Sequence, residues 1–232
     1  MELISKDVIE QYNLKLADRG LALIQTDEGL SLSSGELSIM ADFRDMLPRL
    51  KKSNLEREML VKVARIKGQP MPQSLVDATA GFGEDSLILA AAGFDVRLYE
   101  FDEVIALLLQ DCMERAMEIP ELKEAVGRMT LVCGDSTIAM KSLDYKPDIV
   151  LLDPMFPERQ KSALIKKKFQ LLQKLESPCS NEEQLLEAAI AAEPKRIVIK
   201  RPLKGPYLAD KKPSYSLDGK AIRYDCMVFA RN

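Results

Sequence analysis

The chain of 232 residues contains no histidine and no tryptophan. A serine–histidine pair, a three-histidine zinc site and a histidine general base are therefore excluded. Its four cysteines, at positions 112, 133, 179 and 226, form no CxxC pair. That spacing argues against a metal and against a disulfide framework, and fits a reduced cytoplasmic protein. No stretch approaches the roughly 18 uninterrupted apolar residues of a membrane span, and the opening MELISKDVIEQYNL lacks the apolar core of a signal peptide. Also missing are a GxGxxG fingerprint and a Walker lysine, so the usual glycine-loop routes to a pyrophosphate are closed.

What is present is an uneven charge. The net value of −3 conceals 17 Lys+Arg against 27 Asp+Glu over residues 1–154, and 16 against 9 over residues 155–232. The basic C-terminal third gives a reason to look for an anionic partner on one side of the molecule, with a merely solvated surface as the alternative.

Two rhythms divide the chain. Residues 1–47 hold short alternating runs, LALIQT and LSLSS, broken by Gly20, Gly29 and Gly35, and read as a small β-rich N-terminal subdomain. Over 48–73, Leu55, Met59, Leu60, Val63 and Ile66 share a helical face until Gly68 and the prolines at 70 and 72 end it, giving a leading helix and linker. From residue 74, strands (SLVDAT, DVRLYE, MTLVC, PDIVLL, KRIVIK) alternate with helices (EDSLILAAA, DEVIALLLQDCMERAMEI, QKSALIKKKFQLLQKL, NEEQLLEAAIAA). Such alternation predicts an α/β fold, a mostly parallel twisted sheet with helices on both faces. IRYDCMVFA, which no crossover helix precedes, would add an antiparallel C-terminal edge strand.

In these sheets ligands bind beyond the carboxyl ends of the strands, and four successive strands end in acid: Asp77, Glu100, Asp135 and Asp153. The first leads into Asp77-Ala-Thr-Ala-Gly81-Phe-Gly83-Glu84-Asp85, where two glycines let backbone pass close to a ligand. Two acids at the helix start suit a cationic or neutral group better than a pyrophosphate. Glu100 stands where it can accept both ribose hydroxyls of a nucleoside, and Asp135-Ser136 where a carboxylate can take an adenine amine. Each acid could instead cap a helix. Asp153 opens Asp153-Pro154-Met155-Phe156, and a run of Arg159, Lys161, Lys166, Lys167 and Lys168 follows; Lys200 and Arg201 end the next strand. On a rim of the cleft these cations could hold phosphates.

The set resembles the Rossmann-like class I S-adenosylmethionine-dependent methyltransferases, and DPMF looks like the [DN]PP[YF] tetrad of those acting on exocyclic or amide nitrogens. More narrowly, VDATAGFGEDSLILAAAGFDV, LLDPMFPERQKSALIKKK and IVIKRP resemble the RsmJ family of 16S rRNA guanine-N2 methyltransferases. The resemblance covers about residues 60–232, making 48–232 the methyltransferase domain. It implies S-adenosylmethionine as donor, contacted at Glu84-Asp85, Glu100-Phe101, Asp135-Ser136 and Asp153. It further implies methyl transfer to the N2 amine of one guanosine near the 3′ end of 16S rRNA, as naked RNA or in the 30S particle. Asp153 and the Pro154 carbonyl would accept the amine hydrogens while Phe156 stacks on the extruded base. A methyltransferase of a protein amide or small molecule, and a non-catalytic RNA-binding module on the same fold, stay open as alternatives. A nicotinamide enzyme is disfavoured, because Asp85-Ser86 replace its third glycine.

Overall fold

In the computed structural model, which describes residues 4–35, 37–154, 175 and 181–229, the chain begins with a helix, α1 (Lys6–Leu16), whose first turn is capped by Ser5 Oγ accepting from the amide of Val8. The β-rich lead-in predicted for residues 1–47 thus carries a helix ahead of its strands. Only Ile9 and Leu16 of α1 are buried, two turns apart among charged neighbours, so its sequence shows little helical periodicity. Strands β1 (Ala22–Thr26), β2 (Gly29–Ser34) and β3 (Leu37–Ile39) then form an antiparallel sheet in that order.

The leading segment folds as three short helices, α2 (Leu47–Leu50), α3 (Lys52–Leu55) and α4 (Met59–Ala64), rather than one. The backbone is extended in ψ at Lys51 and at Glu58, which ends one helical run and starts the next. The second half is only partly as expected: Leu60 and Val63 of the expected face are buried together with Val61 and Ala64, whereas Leu55, Met59 and Ile66 are half-buried and the helix ends before Ile66.

The main body is β4 (Ser74–Asp77), α5 (Glu84–Ala91), β5 (Asp95–Glu100), α6 (Glu103–Met117), α7 (Pro120–Val126), β6 (Met129–Cys133), α8 (Ser136–Ala139), β7 (Ile149–Leu152), α9 (Glu182–Ala191), β8 (Arg196–Pro202), β9 (Tyr215–Asp218) and β10 (Ile222–Val228). Its seven strands lie in the order β6-β5-β4-β7-β8-β10-β9. The first five are mutually parallel, and β10 runs antiparallel to both β8 and β9. The C-terminal strand is antiparallel as expected but lies one strand in from the edge, because β9 pairs outside it. The outermost, β9, escapes a hydrophobic reading because all four of its residues are exposed.

The sheet is covered on both faces. Leu75, Leu98, Ile149, Leu151 and Val198 pack with α4 to α7, whereas Val76, Val150, Leu152, Ile197 and Ile199 pack towards α9. Each fully buried aliphatic side chain contributes about 1.5–3 kcal/mol, and the continuous apolar runs in β7 and β8 reflect burial on two sides. The chain steps from β4 outward to β5 and β6, then returns to β7 on the other flank of β4. Such a reversal is the place where a ligand crevice is expected in an open sheet of this kind, past the carboxyl ends of β4 and β7.

The N-terminal sheet sits on α6. Leu21, Leu23, Leu30 and Leu32 share a core with Val104, Ile105 and Leu108. Asp111 Oδ2 accepts both the Leu30 amide, at 3.0 Å, and Arg115 Nε, at 2.8 Å, while Arg115 also donates to the Ala41 carbonyl. Among the described residues no helix is long and apolar enough to cross a membrane.

Candidate active site

Asp77, at the end of β4, is buried and organises the loop that follows it. Its carboxylate accepts from the Thr79 amide at 3.1 Å and from Ser86 Oγ at 2.7 Å, tying the strand to the first turn of α5. Burial pushes this carboxyl up to about 7, against the pull of those two hydrogen bonds and helped by the nearby charges of Asp85 and Asp153. Asp77 thus shapes the loop from beneath.

Both loop glycines take left-handed backbone, φ 54° at Gly81 and 72° at Gly83, open to glycine at little cost. They do different work. A Cβ at Gly83 would lie 2.9 Å from Leu109 Cδ1, so that glycine lets the loop press on α6; a Cβ at Gly81 meets nothing within 4 Å. The Gly81 amide donates to Glu100 Oε2 at 2.8 Å, and the Asp102 amide to Oε1 at 2.9 Å. Glu100 is thereby fixed at the end of β5 with each oxygen holding one backbone bond. A carboxylate offers about four acceptor sites, so capacity remains for a ligand hydroxyl. Burial raises its pKa, opposed by the same amides. Phe101 beside it is 75% exposed, and Ile138 in α8 is similarly open; both are apolar surfaces on which a flat ring could lie. Glu100→Gln should weaken a nucleoside donor about tenfold to a hundredfold, the loss expected for hydrogen bonds to a charged acceptor, about 1.5–3 kcal/mol. Calorimetric titration with the donor or its demethylated product measures this, and unchanged affinity would reduce Glu100 to a loop-fixing role.

Asp135 is a helix cap. Its Oδ1 accepts from the amide of Thr137 at 2.8 Å and from its hydroxyl at 2.7 Å, at the start of α8. Oδ2 takes no part in that cap, so capping and a ligand contact are compatible there. Ser136 is buried in the first turn, and Glu84 is exposed at the start of α5.

Asp153 stands where β7 ends next to β4. Its amide donates to Thr79 Oγ1 at 2.7 Å, and its side chain remains 38% exposed while pairing through Oδ2 with Lys200 Nζ at 2.9 Å. Lys200 also reaches Asp85 Oδ2 at 2.6 Å. Burial lowers the pKa of this ammonium, but the two carboxylates outweigh it and hold the group well above the ordinary lysine range. Lys200 is thus part of the site, a cation between two anions. The expectation that it lies on a phosphate-binding rim does not match its position.

Arg201 departs further from that expectation. It is only 1% exposed, donating from Nε to the Pro206 carbonyl at 2.8 Å and from Nη1 to Glu182 Oε1 at 3.3 Å. Successive strand residues face opposite sides of a sheet, so Lys200 and Arg201 cannot share a rim: one turns into the crevice and the other under α9. Pro154 is buried directly after Asp153. Phe156, Arg159, Lys161, Lys166, Lys167 and Lys168, with the helix expected around them, lie outside the described residues.

Sequence reasoning missed Thr79, Ser86 and Asp102, which hold the loop and the strand ends. It also missed the true neighbourhood of Lys200. Leu152 and Ile199 are register partners on β7 and β8, so Asp153 and Lys200 follow as adjacent strand ends once those strands are taken as neighbours.

The model of a family described as "Putative SAM-dependent methyltransferase" matches residues 7–229. The chain is 38% identical over 230 residues to ribosomal RNA small subunit methyltransferase J of Thioalkalivibrio sulfidiphilus, covering 94% of this chain and 90% of that protein. It is 38% identical over 218 residues to the protein of the same name from Nitrosococcus oceani, covering 91% and 85%. A crystal structure of a SAM-dependent methyltransferase from Neisseria gonorrhoeae superposes with a TM-score of 0.73 at 30% identity, over 90% of this chain and 83% of that one.

Proposed function

The chain belongs to the RsmJ family of S-adenosylmethionine-dependent methyltransferases, and from that premise we propose that it methylates the exocyclic N2 amine of a specific guanosine near the 3′ end of 16S rRNA. The single observation that carries this reading is Asp153: a half-exposed carboxylate at the reversal between β4 and β7, with its amide anchored on Thr79 and its side chain steadied by Lys200.

The residues present fit the donor. Glu100, pre-set by the Gly81 and Asp102 amides, would take the ribose hydroxyls, and Phe101 and Asp135 would meet the adenine. Asp85 beside Lys200 offers one negative and one positive group to a zwitterionic amino-acid end. The donor supplies a methyl group already activated on a sulfonium, so the protein's task is alignment and exclusion of water.

The guanine amine is a weak nucleophile because its lone pair is delocalised into the ring. Asp153 and the Pro154 carbonyl would accept its two hydrogens and favour the attacking geometry. Proline at 154 has no amide hydrogen to compete for that acceptor. Phe156 would stack on the flipped base, and Arg159, Lys161 and Lys166 to Lys168 would hold RNA phosphates beside it. We place the enzyme in the cytoplasm, acting on 16S rRNA or the 30S particle. The test is transfer of labelled methyl to deproteinised 16S rRNA and to 30S particles from cells lacking the gene, followed by nucleoside analysis. N2-methylguanosine is expected; label recovered only in protein, or in no RNA nucleoside, would overturn the reading.

A further inference from the structure

Beside the crevice lies a second cavity, of about 420 Å³, between the short leading helices and β10; Arg49, Asn54, Arg57, Glu58, Met59 and Tyr224 line it. That volume falls in the range of ligand pockets. Its position follows from the sheet register. Tyr224 on β10 is the cross-strand partner of Lys200 on β8, so their side chains stand next to each other on one face of the sheet. Lys200 in turn touches Asp153. The buried ring of Tyr224, part of the cavity lining, therefore adjoins Lys200, the group that holds Asp153.

Among the described residues of its lining two arginines accompany one acid, Glu58, which Arg49 Nε engages at 3.0 Å. Arg57 is exposed, and Lys51 and Lys52 in the same helical segment are exposed as well. Planar guanidinium groups match phosphate oxygens in a fixed fork. A cavity with two arginines on its wall and an aromatic ring in its floor suits a nucleotide unit, phosphate outward and sugar or base inward. We propose that this cavity seats the nucleotide next to the target guanosine in the RNA chain, with Arg57 and Arg49 on its phosphate. The proposal rests on the reading that the acceptor is RNA, and adds a place where the strand is gripped beside the target guanosine.

The test compares wild type with Arg49→Ala/Arg57→Ala, Arg57→Ala and Arg57→Lys. It measures binding to deproteinised 16S rRNA at several salt concentrations, KM for that RNA, and donor affinity. A contact to a single-stranded phosphate contributes about 0.7 to the slope of log affinity against log salt. The double variant should therefore flatten the slope by up to about 0.7 and raise KM for RNA roughly tenfold at physiological salt, with donor affinity within about twofold of wild type. Arg57→Lys keeps the charge and should recover most of the slope. Should the double variant fail to fold, Arg57→Ala alone, at an exposed position, carries the test with about half the slope change. A wild-type enzyme that methylates the RNA beside a variant of unchanged slope and KM would overturn the cavity's role and leave the proposed function standing. No methyl transfer to RNA by wild type would overturn that function and this proposal together. Normal binding to naked RNA with lost binding to 30S particles would assign the cavity to a protein partner, against the proposal.

Discussion

Asp153→Ala should lower turnover by about 10²–10³ while the protein stays folded. Removing a preorganised acceptor of this kind costs about 3–4 kcal/mol in the transition state, and the amine would lose its only charged acceptor. The fold should survive because the side chain is partly exposed and Lys200 keeps its 2.6 Å pair with Asp85. Donor affinity should fall much less than turnover. Asp153→Asn, which keeps an acceptor oxygen but not the charge, should lie between the two. Single-turnover methylation at saturating donor, beside donor titration, separates these effects. Turnover within about threefold of wild type would remove Asp153 from the chemistry.

The second large effect concerns stability and pH. In the unfolded chain the Asp77 carboxyl has its ordinary value of 3.8, whereas in the folded protein burial holds it at about 7. Between those values the native state keeps a proton that the unfolded chain has released. The contribution is therefore fully present below the unfolded value and is lost as pH rises through about 7. Three units of difference correspond to about 4 kcal/mol, large beside the usual 5–15 kcal/mol of a domain. Asp77→Asn cannot titrate and should lose this dependence, while the Ser86 hydroxyl can reverse to accept from the new amide. Denaturant midpoints of both proteins from pH 5 to 8 should diverge, with the variant gaining on wild type as pH rises. Parallel curves would mean that the two hydrogen bonds to Asp77 offset its burial.

Much of the fold was legible because its signals are local. The Asp95–Glu100 strand and the Glu103–Met117 helix appear where the sequence puts them, since each carries its own periodicity and its own stop. Elements that bury little were hidden: α1 has two buried residues and β9 none. The acidic strand ends marked the crevice, because the rule that ligands sit beyond the strand ends needs only strand order along the chain. Side-chain direction was the harder part. Lys200 and Arg201 look alike in sequence, yet one neutralises two carboxylates and the other is entombed against Glu182. Asp135 shows that the capping and binding readings of one carboxylate need not compete, as its two oxygens can serve different ends.

The helix α6 joins regions that look separate along the chain. At its start the Asp102 side chain caps the first turn, and the Asp102 amide holds Glu100. Midway, Leu109 is what Gly83 of the ligand loop presses upon, and Asp111 anchors β2 of the small sheet. One rod thus serves as the mount for Glu100, the backstop of the loop and the keel under the N-terminal unit. A tilt of that rod would move all three together. A core change at Leu30 or Leu32, which pack against this helix, is therefore expected to reach the Glu100 end through the rod.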